Sequence, residues 1–154
     1  MNPQRRDALK TGGGLGIFGM LVAAGVITPG AALARDAKLF EADTMAGVFE
    51  ALGIERPELN DSVTLIAPDI AENGAVVPVG VTTDLPNVEV VSILVEENPN
   101  KLAANFNLPE GTLAEVQTRI KMRQTSDVYA LVKADGKYYM NKKEIKVTLG
   151  GCGG

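Results

Sequence analysis

Apolar and polar side chains alternate most cleanly along residues 116–123. Val116, Thr118, Ile120 and Met122 fall on one face, and Gln117, Arg119, Lys121 and Arg123 on the other. A period of two with opposite chemistry predicts a strand with one face in a core and one in water. Shorter runs surround it. Val63–Ala67 ends at Pro68, and the turn signal Asn73-Gly74 precedes Ala75–Thr82, where Pro78 predicts an edge or a bulge. Val88–Val95 is a dense β-branched run, and Leu102–Leu108 closes at Pro109. Val128–Ala134 meets Asp135-Gly136, the dipeptide of a two-residue hairpin, and continues into Lys137–Met140. Glu144–Leu149 then alternates Ile145, Val147 and Leu149 with Lys146 and Thr148, which makes Leu149 the expected last core position.

One helix is legible before the strands. Met45, Val48, Phe49 and Leu52 repeat at helical spacing. Asp43 or Thr44 can cap its free amides, and Gly53 supplies a left-handed stop. Such a stripe is expected to cover an open end or edge of the core. About seven strands with turn residues between them, and no strand–helix repeat, predict an all-β fold. The expected form is an immunoglobulin-like antiparallel β-sandwich with one short N-terminal helix and a flexible C-terminal arm.

Composition removes more chemistry than it suggests. The chain has no His and one Cys among 154 residues. Catalytic triads, Cys–His pairs, His-ligated metals, intramolecular disulfides and Cys-x-x-Cys redox pairs all fall away. No cofactor or metal site and no catalytic residue is legible. A net charge of −4 and 5% aromatic residues argue against a nucleic-acid binder.

The first 34 residues read as an address. Gln4-Arg5-Arg6-Asp7-Ala8-Leu9-Lys10 resembles the twin-arginine export signal, with Arg5, Arg6, Leu9 and Lys10 matching. An uncharged stretch holding seven glycines follows, then Pro29 and the cleavage pattern Ala32-Leu33-Ala34. The stretch is long enough to span a bilayer, but its glycines, Pro29 and the Ala-x-Ala site favour a removed signal over a stable membrane anchor. The expectation is a periplasmic domain over residues 35–149, exported folded and with a partner as passenger. Residues 35–115 of that product carry four basic and fifteen acidic side chains, whereas residues 116–154 carry eight basic and three acidic.

A flexible arm is expected over residues 150–154, Gly150-Gly151-Cys152-Gly153-Gly154. Four glycines around one thiol make a thin arm that can enter a narrow pocket of another protein. A lone thiol in an oxidising compartment is prone to oxidation, so its presence there needs a reason. Cys152 is third from the end, where prenylation needs the fourth. A Gly-Gly thiocarboxylate is an alternative that conflicts with export. A structural module joined to a partner by a disulfide at Cys152, or a redox-sensing accessory protein, is another, and neither explains the glycines as well.

The ending Lys146-Val147-Thr148-Leu149-Gly150-Gly151-Cys152-Gly153-Gly154 resembles the SoxY family, the sulfur carriers of periplasmic thiosulfate oxidation. The signal and the β reading agree with that family. The resemblance implies a heterodimer with a small β partner, SoxZ, carried across as the passenger. It implies that a c-type cytochrome enzyme joins thiosulfate to Cys152, that a hydrolase releases sulfate, and that a sulfur dehydrogenase acts where present. It assigns Cys152 as the covalent attachment point and Gly150, Gly151, Gly153 and Gly154 as the flexible arm. The haems and metals belong to those partners, and no turnover is expected from this chain alone. Arg119, Lys121, Arg123, Lys142, Lys143 and Lys146 are candidates for steering anions towards the arm, against the ordinary reading of solvated strand faces.

Overall fold

A computed structural model describes residues 37–55 and 57–149. The export signal with Arg5 and Arg6, and the arm with Cys152, lie outside the described residues. Two short helices, α1 (Ala37–Glu41) and α2 (Met45–Ala51), come first. Nine strands follow: β1 (Glu58–Leu59), β2 (Val63–Ile66), β3 (Ile70–Ala71), β4 (Val77–Thr83) and β5 (Val88–Val95), then β6 (Leu102–Asn107), β7 (Glu115–Ile120), β8 (Ser126–Ala134) and β9 (Lys137–Val147).

The strands form two sheets. The larger runs β1-β9-β8-β5-β6, with β3 also pairing β9, and the smaller runs β2-β4-β7. All pairings are antiparallel except those of β1 and β3, which lie parallel against β9. This is the expected immunoglobulin-like sandwich. Its core holds Val63, Val77, Val79, Val81 and Ile120 from the small sheet against Val91, Ile93, Val95, Val128 and Ile145 from the large one. Met122, just past β7, is fully buried as its alternation predicts, and it donates its N–H to Gly74 O at 2.7 Å.

Local chemistry explains the joints. Thr44 caps α2 by accepting from Gly47 N at 3.0 Å, and Gly53 ends the segment at φ 70°. Asp135 and Gly136 both take positive φ, 49° and 73°, as a two-residue hairpin turn requires. Asn73 closes its turn by accepting from Ala75 N through Oδ1 at 2.8 Å.

Three expectations need correction, and one is met in an unexpected place. There are two helices rather than one, and they do not cover an end or edge. They lie on the outer face of the large sheet, where Leu39 and Val48 join Leu94, Leu102, Leu131 and Met140 in a second cluster. Pro78 lies in the central strand of the small sheet but at a local edge, as its presence there predicts. It is tolerated because β2 ends at Ile66, opposite Gly80, so Pro78 pairs only on the β7 side, with Arg119. Lys137–Met140 and Glu144–Leu149 are not separate runs: one eleven-residue strand, β9, spans Lys137–Val147. Finally, Leu149 is not a core position. It is 69% exposed, and the last fully buried residue before the tail is Ile145.

Candidate functional site

β9 delivers the chain to the tail. Ile145 sits fully buried opposite Ser126 of β8, and the alternation of β9 leaves Lys146 exposed. On its other edge β9 meets β3, with Ile70 opposite Lys146 and Ala71 opposite Val147. The chain is then held residue by residue. Lys146 N donates to Asp69 O at 3.0 Å, and Val147 N donates to Thr125 Oγ1 at 3.0 Å. Thr148 donates twice, from N to Ala71 O at 3.1 Å and from Oγ1 to Glu72 O at 3.0 Å. Leu149 O accepts from Gly74 N at 2.7 Å, and Gly74 O in turn accepts from the buried Met122. The last described residue is thus tied through one glycine to the sandwich core.

The six basic candidates divide: Lys146 lies in the root, Lys121 and Arg123 flank the Met122 that bonds to Gly74, and Lys142 and Lys143 are already paired. Lys142 pairs with Asp127 at 2.6 Å and lies over the Tyr129 ring, within the outer, helix-side cluster. Lys143 pairs with Asp69 at 2.8 Å and donates to Ala67 O at 2.6 Å, fastening the β2–β3 connection to β9. The hydrogen bond from Lys143 holds the Asp69 carboxyl below its ordinary value. A lowered carboxylate value means the pair supports this edge at ordinary pH and is lost as pH falls through the lowered value. Arg119, Lys121 and Arg123 are exposed on and just after β7.

Thr148, Thr125 and Gly74 are the residues that sequence reasoning misses. Only Asn73-Gly74 gives a signal, as a turn, and nothing in that dipeptide shows what the turn holds. A cleft of about 680 Å³ opens at the other end of the sandwich, where Thr83, Val88, Leu108 and Leu113 meet. It lies away from the tail, and its lining offers carboxylates but no thiol or amine. Among the described residues no group of three or more His, Cys, Asp or Glu side chains could hold a metal ion, and no helix is long and apolar enough to cross a membrane.

A sequence model of the sulfur oxidation protein SoxY matches residues 49–152. The chain belongs to the SoxY family. The match begins inside α2, runs through the sandwich and ends on Cys152. Among solved structures, the sulfur carrier protein SoxY from Chlorobium limicola f thiosulfatophilum is 33% identical, covers 65% of this chain and 93% of its own, and superposes with a TM-score of 0.56. Two structures of superoxide reductase (neelaredoxin) from Ignicoccus hospitalis are 16% and 14% identical over 56% of this chain and 79% and 80% of theirs, each with a TM-score of 0.50. At that identity they share the fold alone. No curated protein matches the chain. The SoxY assignment thus joins a family-wide match over the sandwich to the tail that β9 and its anchors present.

Proposed function

We propose that this chain carries sulfur intermediates of thiosulfate oxidation as adducts of Cys152 and presents them to partner enzymes. One observation carries this reading: a SoxY match that extends through the sandwich to end on the single cysteine, within four glycines. The related SoxY structure is that of a sulfur carrier protein. In the loading step, the sulfane sulfur of thiosulfate bonds to the Cys152 sulfur. The thiol proton goes to water, and an electron pair passes to a c-type cytochrome enzyme. In the release step, water attacks the sulfone sulfur. The bond between sulfone and sulfane sulfur breaks, its electron pair stays on the sulfane sulfur, and sulfate leaves; of the two water protons one ends on the Cys152 persulfide and the other goes to solvent. A sulfur dehydrogenase, where present, oxidises that sulfur further.

The chain is suited to carriage rather than catalysis. A catalytic cysteine needs a nearby base, cation or helix N-terminus to lower its pKa, and the residues next to Cys152 in sequence are glycines. Activation therefore belongs to the enzymes that receive the arm. A SoxZ-like β protein is the expected heterodimer partner, covering sheet surface that a small sandwich leaves open.

Mass spectrometry of the C-terminal peptide tests the reading, after exposure to thiosulfate and the periplasmic oxidising enzymes. A thiosulfonate or persulfide on Cys152 supports it. An unmodified thiol, or only a protein–protein disulfide, overturns it. Export is tested separately. Replacing Arg5 and Arg6 by Lys should leave uncleaved precursor in the cytoplasm and strand the passenger partner there. Normal periplasmic accumulation of the double variant would refute twin-arginine transport.

A further inference from the structure

We propose that Thr148 is a positioning residue of the carrier: with Ala71, Glu72 and Gly74 it fixes the root of the arm, so that the swing begins beyond Leu149. The inference rests on the carrier reading and adds to it a defined pivot.

Burial alone would place the pivot much earlier. Ile145 is the last fully buried residue before the tail, while Thr148 and Leu149 are exposed. A strand leaving its core there would be free from about Lys146 onwards. Instead, four successive residues are each bonded to the body. Lys146 is held by Asp69, Val147 by Thr125, Thr148 by Ala71 and Glu72, and Leu149 by Gly74. Thr148 is the centre of this set, because it alone contributes both a main-chain and a side-chain donor. Its hydroxyl meets a carbonyl one residue beyond the end of β3, where strand pairing has stopped. The hydroxyl therefore extends the grip past what the sheet ladder supplies.

The consequence is a shorter tether. From Leu149 to Cys152 the chain spans at most about 10–11 Å, whereas from Ile145 it would span about 23–25 Å. Effective concentration falls roughly as the −3/2 power of tether length, so an arm freed from Ile145, seven residues rather than three, would dilute the thiol about three- to fourfold. A root fixed at Leu149 starts the arm beside the β3–β4 turn and the β7–β8 connection. An enzyme pocket that meets this end of the sandwich then finds the sulfur at high effective concentration.

Three variants of the intact protein separate this from passive packing. Thr148→Ser keeps both donors, Thr148→Val keeps only the main-chain donor, and Thr148→Pro removes both. Exchange of the Gly74 amide, which donates to Leu149 O, reports opening of the root. It should be unchanged in Thr148→Ser and about 2- to 10-fold faster in Thr148→Val, the range set by one net hydrogen bond, with a larger increase in Thr148→Pro. Enzymatic loading of Cys152 with thiosulfate should show KM rising in the same order at nearly constant kcat, while labelling by a small alkylating reagent stays at the wild-type rate. Wild-type Gly74 exchange in Thr148→Val overturns the anchor. Faster exchange with a flat KM across the series overturns the positioning role. The exchange series needs no sulfur chemistry, so its failure counts against the anchor alone. A wild-type Cys152 that never acquires sulfur counts against the carrier reading alone.

Discussion

Cys152→Ser abolishes sulfur carriage and leaves the sandwich intact: that is the largest functional effect expected of any single change. A hydroxyl cannot form the disulfide-like bond to a sulfane sulfur, so the loss should be complete rather than partial. The fold should survive because the last fully buried residue, Ile145, lies seven positions earlier. Sulfate release from thiosulfate by the reconstituted system measures the first point, and the thermal midpoint measures the second. Gly151→Val and Gly153→Val complete the test by keeping the thiol. Each adds a β-branched side chain that stiffens and widens the arm. A small alkylating reagent should still reach Cys152 at near the wild-type rate, while enzymatic loading falls. Valine variants that keep the wild-type ratio of loading to labelling would make the glycines a passive tail, whatever Cys152 carries.

Leu94→Ala should destabilise the protein by about 2–5 kcal/mol, as much as its neighbour Ile93→Ala. The two side chains point to opposite faces of β5, yet both are fully buried. Ile93 packs between the sheets, and Leu94 packs under α1 and α2. In a two-layer sandwich with a wet outer face, Leu94→Ala would cost little. Urea unfolding with an unchanged slope and equally lowered midpoints for both variants would establish the helices as a third layer. A near wild-type midpoint for Leu94→Ala would show that they contribute no more than a loose cover.

That third layer also explains what can be read in the sequence. β7 is legible as a strand, although its alternation runs on past its end at Ile120, because its outer face meets water and Gln117 and Arg119 mark that face. β5 is legible as a strand but not as to its faces. From Val91 on it is buried on both sides, and its two polar residues, Glu89 and Ser92, lie three apart and so fall on opposite faces. The α2 stripe shows that Val48 and Phe49 face something apolar, and no stripe names its partner. β1 and β3, at two residues each, are too short for any periodicity. β9 reads as two runs because its middle, Asn141 to Glu144, is polar. Two of those side chains reach across to β2 and the residue after it: Asn141 Nδ2 donates to Val63 O at 2.6 Å, and Lys143 Nζ donates to Ala67 O. Leu149 misleads for the opposite reason. It continues the alternation of β9 beyond the point where the sheet ends. At the site, chemistry is legible in the tail and geometry is not, since the residues that hold its root act largely through main-chain atoms with no sequence signature.

The parallel pairings of β1 and β3 with β9 join residues far apart in the chain, Glu58 to Tyr139 and Ile70 to Lys146. Contacts of such separation raise the contact order, and their loop-closure entropy must be met before they stabilise anything. They should therefore form late. β3 contributes only two residues, and Ile70 is exposed. By contrast β8 and the Val91–Val95 part of β5 are covered on both faces. Local stability in the native state follows such differences in burial. Any opening near this end should therefore begin with Ile70 and Ala71 leaving β9 while the sandwich stays closed, which makes the Thr148 bonds to Ala71 and Glu72 the last restraint against it.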